Sequence, residues 1–203
     1  MTIKRATVSY GGPGLRFLAA TESGHAVAFD DETGDTGARP LEVVLGALGS
    51  CTAMDVLSIL RKKRQPVDWY RVRVEAEQRD ESPRVFTAIR VIHELDGHEV
   101  EREAARRAIE LSATRYCPVG AMLAAGTARL SHWFLMRGEH PADDELAHVV
   151  TLGPGAPVAG TRTGTGTELE AGAEPEAGAE PEAGAGVPSP ERPSFTAGGR
   201  FSA

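Results

Sequence analysis

The sequence predicts an α+β fold built on an antiparallel sheet and one long buried helix. Three observations predict it: short runs in which apolar and polar residues alternate, a nearly continuous apolar stretch at residues 40–63, and a change of composition near residue 138. Strands, a helix, more strands, more helices and a last strand follow one another, which is not the strict alternation that builds a parallel α/β sheet.

Each element has its own signal. "IKRATVSY", "LRFLAAT" and "HAVAFD" read as three strands of a meander, the last two separated by the turn-forming "ESG". The polar loop "DDETGDTGARP" leads to Pro40, which opens the helix at no cost because the first helical N–H has no intrahelical partner. Glu42 favours the positive end of that helix and the run "RKKR" at 61–64 its negative end. The helix is apolar nearly all round, so it should be wrapped by protein on most sides. "YRVRVEAEQR" and "VFTAIRVIHEL", joined by "DESP", read as an antiparallel pair. "GHEVEREAARRAIELSATRY" is a second helix with Val100, Ala104, Ala108 and Leu111 at helical spacing. Cys117 and Pro118 break it, a short third helix covers about 118–126, and "ARLSHWFLM" closes as a strand.

From residue 138 to 203, Gly, Ala, Pro, Glu and Thr take over and the repeat "EAGAEPEAGAEPEAGAG" appears. Such a segment buries too little apolar surface to offset its chain entropy, so a disordered tail at 138–203 is expected after a folded domain at 1–137. The charge divides at the same place: residues 1–137 hold 19 Lys and Arg against 18 Asp and Glu, whereas the remainder holds 3 against 11. A near-neutral folded part argues against nucleic acid as a partner, because that needs a concentrated basic face. Ser50, Thr52, Asp55 and Ser58 interrupt the apolar helix, which argues for a core helix over a membrane span. The N-terminus lacks the apolar run of a signal peptide, so a cytoplasmic location is expected.

The chemistry is sought in two cysteines, Cys51 in mid-helix and Cys117 just before a proline. In a reducing compartment a bridge between them would be transient and chemical, not structural. The six histidines show no close ligand spacing and no phosphate loop occurs, so neither a metal nor another cofactor is expected. A reactive thiol must ionise. Cys117 has the local means, lying at a helix N-terminus two residues from Arg115. Cys51 receives no terminal dipole and has Asp55 one turn on, so local physics makes Cys117 the easier thiolate.

Three segments, "RPLEVVLGALGSCTAMDV", "SPRVFTAIRVIHEL" and "SATRYCPVGAML", taken in that order, resemble the OsmC/Ohr proteins, most closely the YhfA-like branch, over roughly residues 3–136. The resemblance implies an intertwined homodimer with active sites at the dimer interface and a thiol-dependent peroxidase. It would make Cys51 the thiol that attacks an organic hydroperoxide and Cys117 the thiol that resolves the sulfenic acid. It also implies reduction by a dithiol, lipoylated protein being the reductant of some members.

Peroxidase members of that family set an arginine beside the attacking thiol, held by a glutamate near the helix start. Here the arginine position falls at Gly14, with Arg16 two residues away, and the glutamate position at Leu41, with Glu42 one residue later. At ~100° per residue, Glu42 lies about 180° round the helix from Cys51 and would reach it only across a kink or a dimer. Arg39 could stand in for Arg16 if its loop folds inward. For Arg16 and Glu42 the plainer readings are a solvent-facing strand charge and a helix-capping acid. These departures leave a second function open: an OsmC-fold protein that binds an apolar small molecule without peroxidase chemistry.

Overall fold

The structure is a computed structural model that describes residues 2–96, 100–137 and 144–156. β1 (Ala6–Tyr10), β2 (Phe17–Thr21) and β3 (Ala26–Phe29) form an antiparallel meander. α1 (Pro40–Lys62) follows with Pro40 at its first turn and Arg61 and Lys62 in its last, so proline geometry and the helix dipole set its ends as the sequence predicts. β4 (Trp69–Gln78) and β5 (Phe86–Asp96) pair antiparallel. α2 (Arg102–Leu111), one π-helical turn at Ser112–Tyr116 and α3 (Pro118–Ala124) then lead to β6 (Arg129–Arg137).

Two differences from the expected fold have clear causes. β6 lies parallel to β5, so the four-stranded sheet is mixed and not antiparallel throughout. The helical crossover returns the chain to the same end of the sheet, which is what a parallel neighbour requires. Alternation within a strand carries no direction. The expected domain end at 137 also falls too early, because β7 (Glu145–Leu152) pairs antiparallel with β6 and extends the sheet. Its run "ELAHVVTL" alternates like any strand, but only eight residues long beside Gly- and Pro-rich chain it was hidden in the composition average. The rest of the expected tail, from residue 157, lies outside the described residues.

The helices pack on one face of the four-stranded sheet in two apolar clusters. One gathers Val56 and Leu60 of α1, Leu95, Phe134 and the small residues Ala104, Ala105 and Ala108 of α2 with Ile109. The other gathers Leu48, Ile89, Val91, Leu130, Ala128 and Cys117. Every element that runs between the clusters changes character at the same level: α1 at Thr52 and Asp55, the end of α2 at Ser112, β5 at His93, β6 at His132. Thr52, Ser112 and Asp55 hydrogen-bond among themselves and His93 meets His132, so a polar layer crosses the core with most of its groups paired.

α1 departs from its expected wrapping. Within one chain it buries Leu48, Gly49, Thr52, Val56 and Leu60, while Met54 is 73% exposed. It is long and apolar enough to cross a bilayer. Its Asp55 and its packing on β4 and α2 instead mark it as a core helix.

Candidate active site

The fold brings Cys51 and Cys117 together from 66 positions apart in the chain. Their sulfurs and a carboxylate oxygen of Asp55 all lie within 4.8 Å of one another. Cys51 and Asp55, one turn apart, project from the same face of α1. Cys117 arrives from the other side as the N-cap of α3. The π-helical turn delivers it: the Cys117 N–H donates to the Ser112 carbonyl five residues back, at 2.9 Å. One residue more per turn than an α-helix lets Ser112 remain under α1 while the thiol reaches the sulfur of Cys51.

Hydrogen bonds fix the surroundings. The Ser112 hydroxyl donates to Asp55 Oδ2 at 3.0 Å and shares a hydrogen bond with the Thr52 hydroxyl at 2.9 Å, both hydroxyl residues being fully buried. The Gly120 N–H donates to Cys117 Sγ at 3.3 Å. A Cβ at Gly120 would stand 3.4 Å from that sulfur and 3.5 Å from Leu130, in ordinary van der Waals contact with both.

Electrostatics reverse the local argument for Cys117. Burial pushes its thiol up to about 12; the Cys51 sulfur and the Asp55 charge push the same way, and the Gly120 N–H alone opposes them. The helix N-terminus is present, but with Cys117 only 3% exposed, desolvation outweighs it. Arg115 brings no relief, its guanidinium lying over the Tyr116 ring at 5.7 Å. Cys51 is half-buried and is the more accessible of the two sulfurs.

The expected cation and acid sit elsewhere within this chain. Arg16 is exposed and bears on Asp30, whose carboxylate is held below its ordinary range, chiefly by the Thr36 hydroxyl and in small part by Arg16. Glu42 accepts from the Arg39 N–H at 2.9 Å, which is the plain capping role, and Arg39 itself pairs with Asp35 at 3.1 Å. Asp55 is the hydrogen-bonded core polar group that its position in an apolar helix implies.

The sequence reading missed Ser112 and the histidine pair. Ser112 continues the spacing of Ala104, Ala105, Ala108 and Ile109, so a polar residue on that apolar stripe was the available signal. In the same polar layer the Tyr70 hydroxyl meets His93 Nδ1 at 2.6 Å, and His93 Nε2 meets His132 Nδ1 at 3.3 Å. Burial, aided by the Asp55 charge, raises the Tyr70 phenol well above its ordinary value. It lowers His132 to about 4, with His148 acting the same way, and lowers His93 further than its ordinary value allows for protonation near neutrality.

Residues 32–130 match the family described as OsmC-like protein. Protein YhfA of Escherichia coli K12 is 44% identical over 110 residues, which are 54% of this chain and 82% of that protein. The chain belongs to the OsmC-like family. Among solved structures, a hypothetical protein from Aquifex aeolicus VF5 is 28% identical with a TM-score of 0.59, over 68% of this chain and 100% of that one. A Legionella pneumophila protein described as an organic hydroperoxide resistance protein OsmC shares the fold at 10% identity and a TM-score of 0.51, over 66% of this chain and 97% of that one. The region matched by the OsmC-like family contains both cysteines, Asp55 and Ser112.

Proposed function

We propose that this OsmC-like protein is a thiol peroxidase that reduces organic hydroperoxides, acting as a homodimer in the cytoplasm. The single observation that carries the reading is the meeting of the two sulfurs and Asp55 within 4.8 Å, with Cys51 half-buried and Cys117 buried beside it. A pair so placed suits attack by the outer thiol and resolution by the inner one.

In this reading the Cys51 thiolate attacks the terminal peroxide oxygen and the O–O bond breaks. The leaving alkoxide takes up a proton and departs as the alcohol, leaving Cys51 as a sulfenic acid. The Cys117 sulfur then attacks the Cys51 sulfur, and its proton leaves with the displaced hydroxide as water. A dithiol, lipoylated protein being one candidate, returns both thiols. The high Cys117 value keeps that sulfur a thiol until the sulfenic acid forms. The cation that ionises Cys51 is contributed across the dimer, where Arg16 is the first candidate. A second chain would also cover the exposed Met54 of α1 and Val8, Tyr10 and Leu18 of the meander, which is more apolar surface than a lone chain keeps in water without cost.

The test is consumption of cumene hydroperoxide by the reduced protein with a dithiol in excess. Turnover that is lost in Cys51→Ser supports the assignment, and an unchanged rate in that variant rejects it. The second reading, an OsmC-fold binder of an apolar small molecule, is favoured by the carboxylate beside the sulfurs and by an apolar cleft of about 280 Å³ lined by Leu41, Val44, Phe86, Met122 and Leu123. It predicts retained binding of an apolar dye with no peroxide turnover.

A further inference from the structure

We propose that the reduced site also binds a thiophilic divalent metal ion of the zinc class, with Cys51 Sγ, Cys117 Sγ and one Asp55 oxygen as its protein ligands. The inference uses the same residues as the proposed peroxidase but stands on their geometry alone. Three ligand atoms from two separate elements already lie within 4.8 Å of one another. A tetrahedral zinc ion with sulfurs at ~2.3 Å holds them ~3.8 Å apart, so each sulfur need move by less than about 1 Å.

The surroundings are those that orient metal ligands. Ser112 donates to Asp55 Oδ2 and so holds the carboxylate in place. Ser112 is itself held by Thr52, and Gly120 donates to the Cys117 sulfur. Ligands whose outer atoms are tied in this way bind metals with little reorganisation. Two sulfurs select zinc over magnesium or calcium, which take oxygen ligands. The ion would add positive charge beside two sulfurs and a carboxylate. A cavity of about 450 Å³ lined by Asp55, Ser58, Ile59, Lys62, Leu111 and Tyr116 opens on the Asp55 side of the cluster.

Binding exchanges two thiol protons for one ion. A hydroperoxide would then oxidise the two metal-bound sulfurs to the disulfide, taking up two protons, giving the alcohol and water, and freeing the ion. Metal-bound and disulfide states therefore exclude one another, so the ion would both guard the thiols and be released by the oxidant.

Titrating the reduced full-length protein with cobalt(II), then zinc(II), tests this by absorbance and by native mass. One ion per chain is expected, with a sulfur-to-cobalt charge-transfer band that zinc abolishes, and the band should be lost in Cys51→Ser and in Cys117→Ser. Asp55→Asn should weaken binding about tenfold or more. The oxidised wild-type protein, which needs no substitution and no refolding, should bind none. Absence of binding by the reduced protein, or equal binding by the oxidised one, overturns the inference. If cumene hydroperoxide still forms the disulfide in a protein that binds no metal, this inference fails and the peroxidase stands; a protein that binds metal but is inert to peroxide gives the reverse.

Discussion

At the scale of single residues, the competition at Cys117 decides which sulfur reacts first. A helix N-terminus and a donated N–H favour its thiolate, but burial outweighs them, and the Cys51 sulfur and the Asp55 carboxylate add smaller pushes in the same direction. Asp55→Asn should therefore lower the Cys117 value, read from the thiolate absorbance during a pH titration; an unmoved value would show that Asp55 does not act on it. Ser112 holds Asp55 and Thr52 at once, so Ser112→Ala leaves the buried Thr52 hydroxyl and the half-buried Asp55 carboxylate each short of a partner and should cost about 1–3 kcal/mol in denaturant unfolding. Neither effect could be read from the sequence. "SATRYCPVG" shows a cap and a proline, but not the π-helical turn or the core that closes over the sulfur. Glu42, in contrast, was legible: its helical angle set it away from Cys51, and its carboxylate holds the Arg39 N–H.

At the scale of elements, the strands and α1 were legible because alternation and capping are local properties, whereas the parallel register of β5 and β6 is not. That register sets Val91 opposite His132 and His93 opposite Phe134, which brings two histidines 39 residues apart into one buried pair. Their consequence is a pH dependence with a definite sign. An unfolded histidine takes up its proton near pH 6.5, but His132 does so in the fold only near 4, and His93 is lowered as well. The unfolded state therefore binds more protons below about pH 6.5, and stability falls as pH drops through that window. From His132 alone about 2 kcal/mol should be lost between pH 7.5 and pH 5, seen as a lower urea midpoint, and His132→Gln should flatten the profile. An equally steep profile in that variant would assign the loss to other groups. Leu48, fully buried between α1, α3 and the sheet, sets the spacing of the same elements. Leu48→Ala should cost about 2–5 kcal/mol.

At the scale of the whole molecule, two apolar clusters held apart by a polar layer place the thiols where the layer meets the second cluster. The folded part extends past the change in composition because β7 covers the β6 edge. A chain ended after residue 137 should therefore melt lower than the full chain, while one ended after residue 156 keeps every described element and should melt with it. Equal midpoints for all three would deny β7 a structural part. The exposed apolar face of α1 and the meander predict a dimer by light scattering at micromolar concentration, with monomer as the contrary result. The central claim is that Cys51 and Cys117 work as one redox pair within a chain. It is tested most directly by treating the reduced protein with one equivalent of cumene hydroperoxide, then measuring its intact mass and mapping its peptides without reduction. The account predicts the loss of two hydrogen atoms and a single linked pair joining the Cys51 and Cys117 peptides. An unchanged mass, or both cysteines recovered as free thiols, would contradict it.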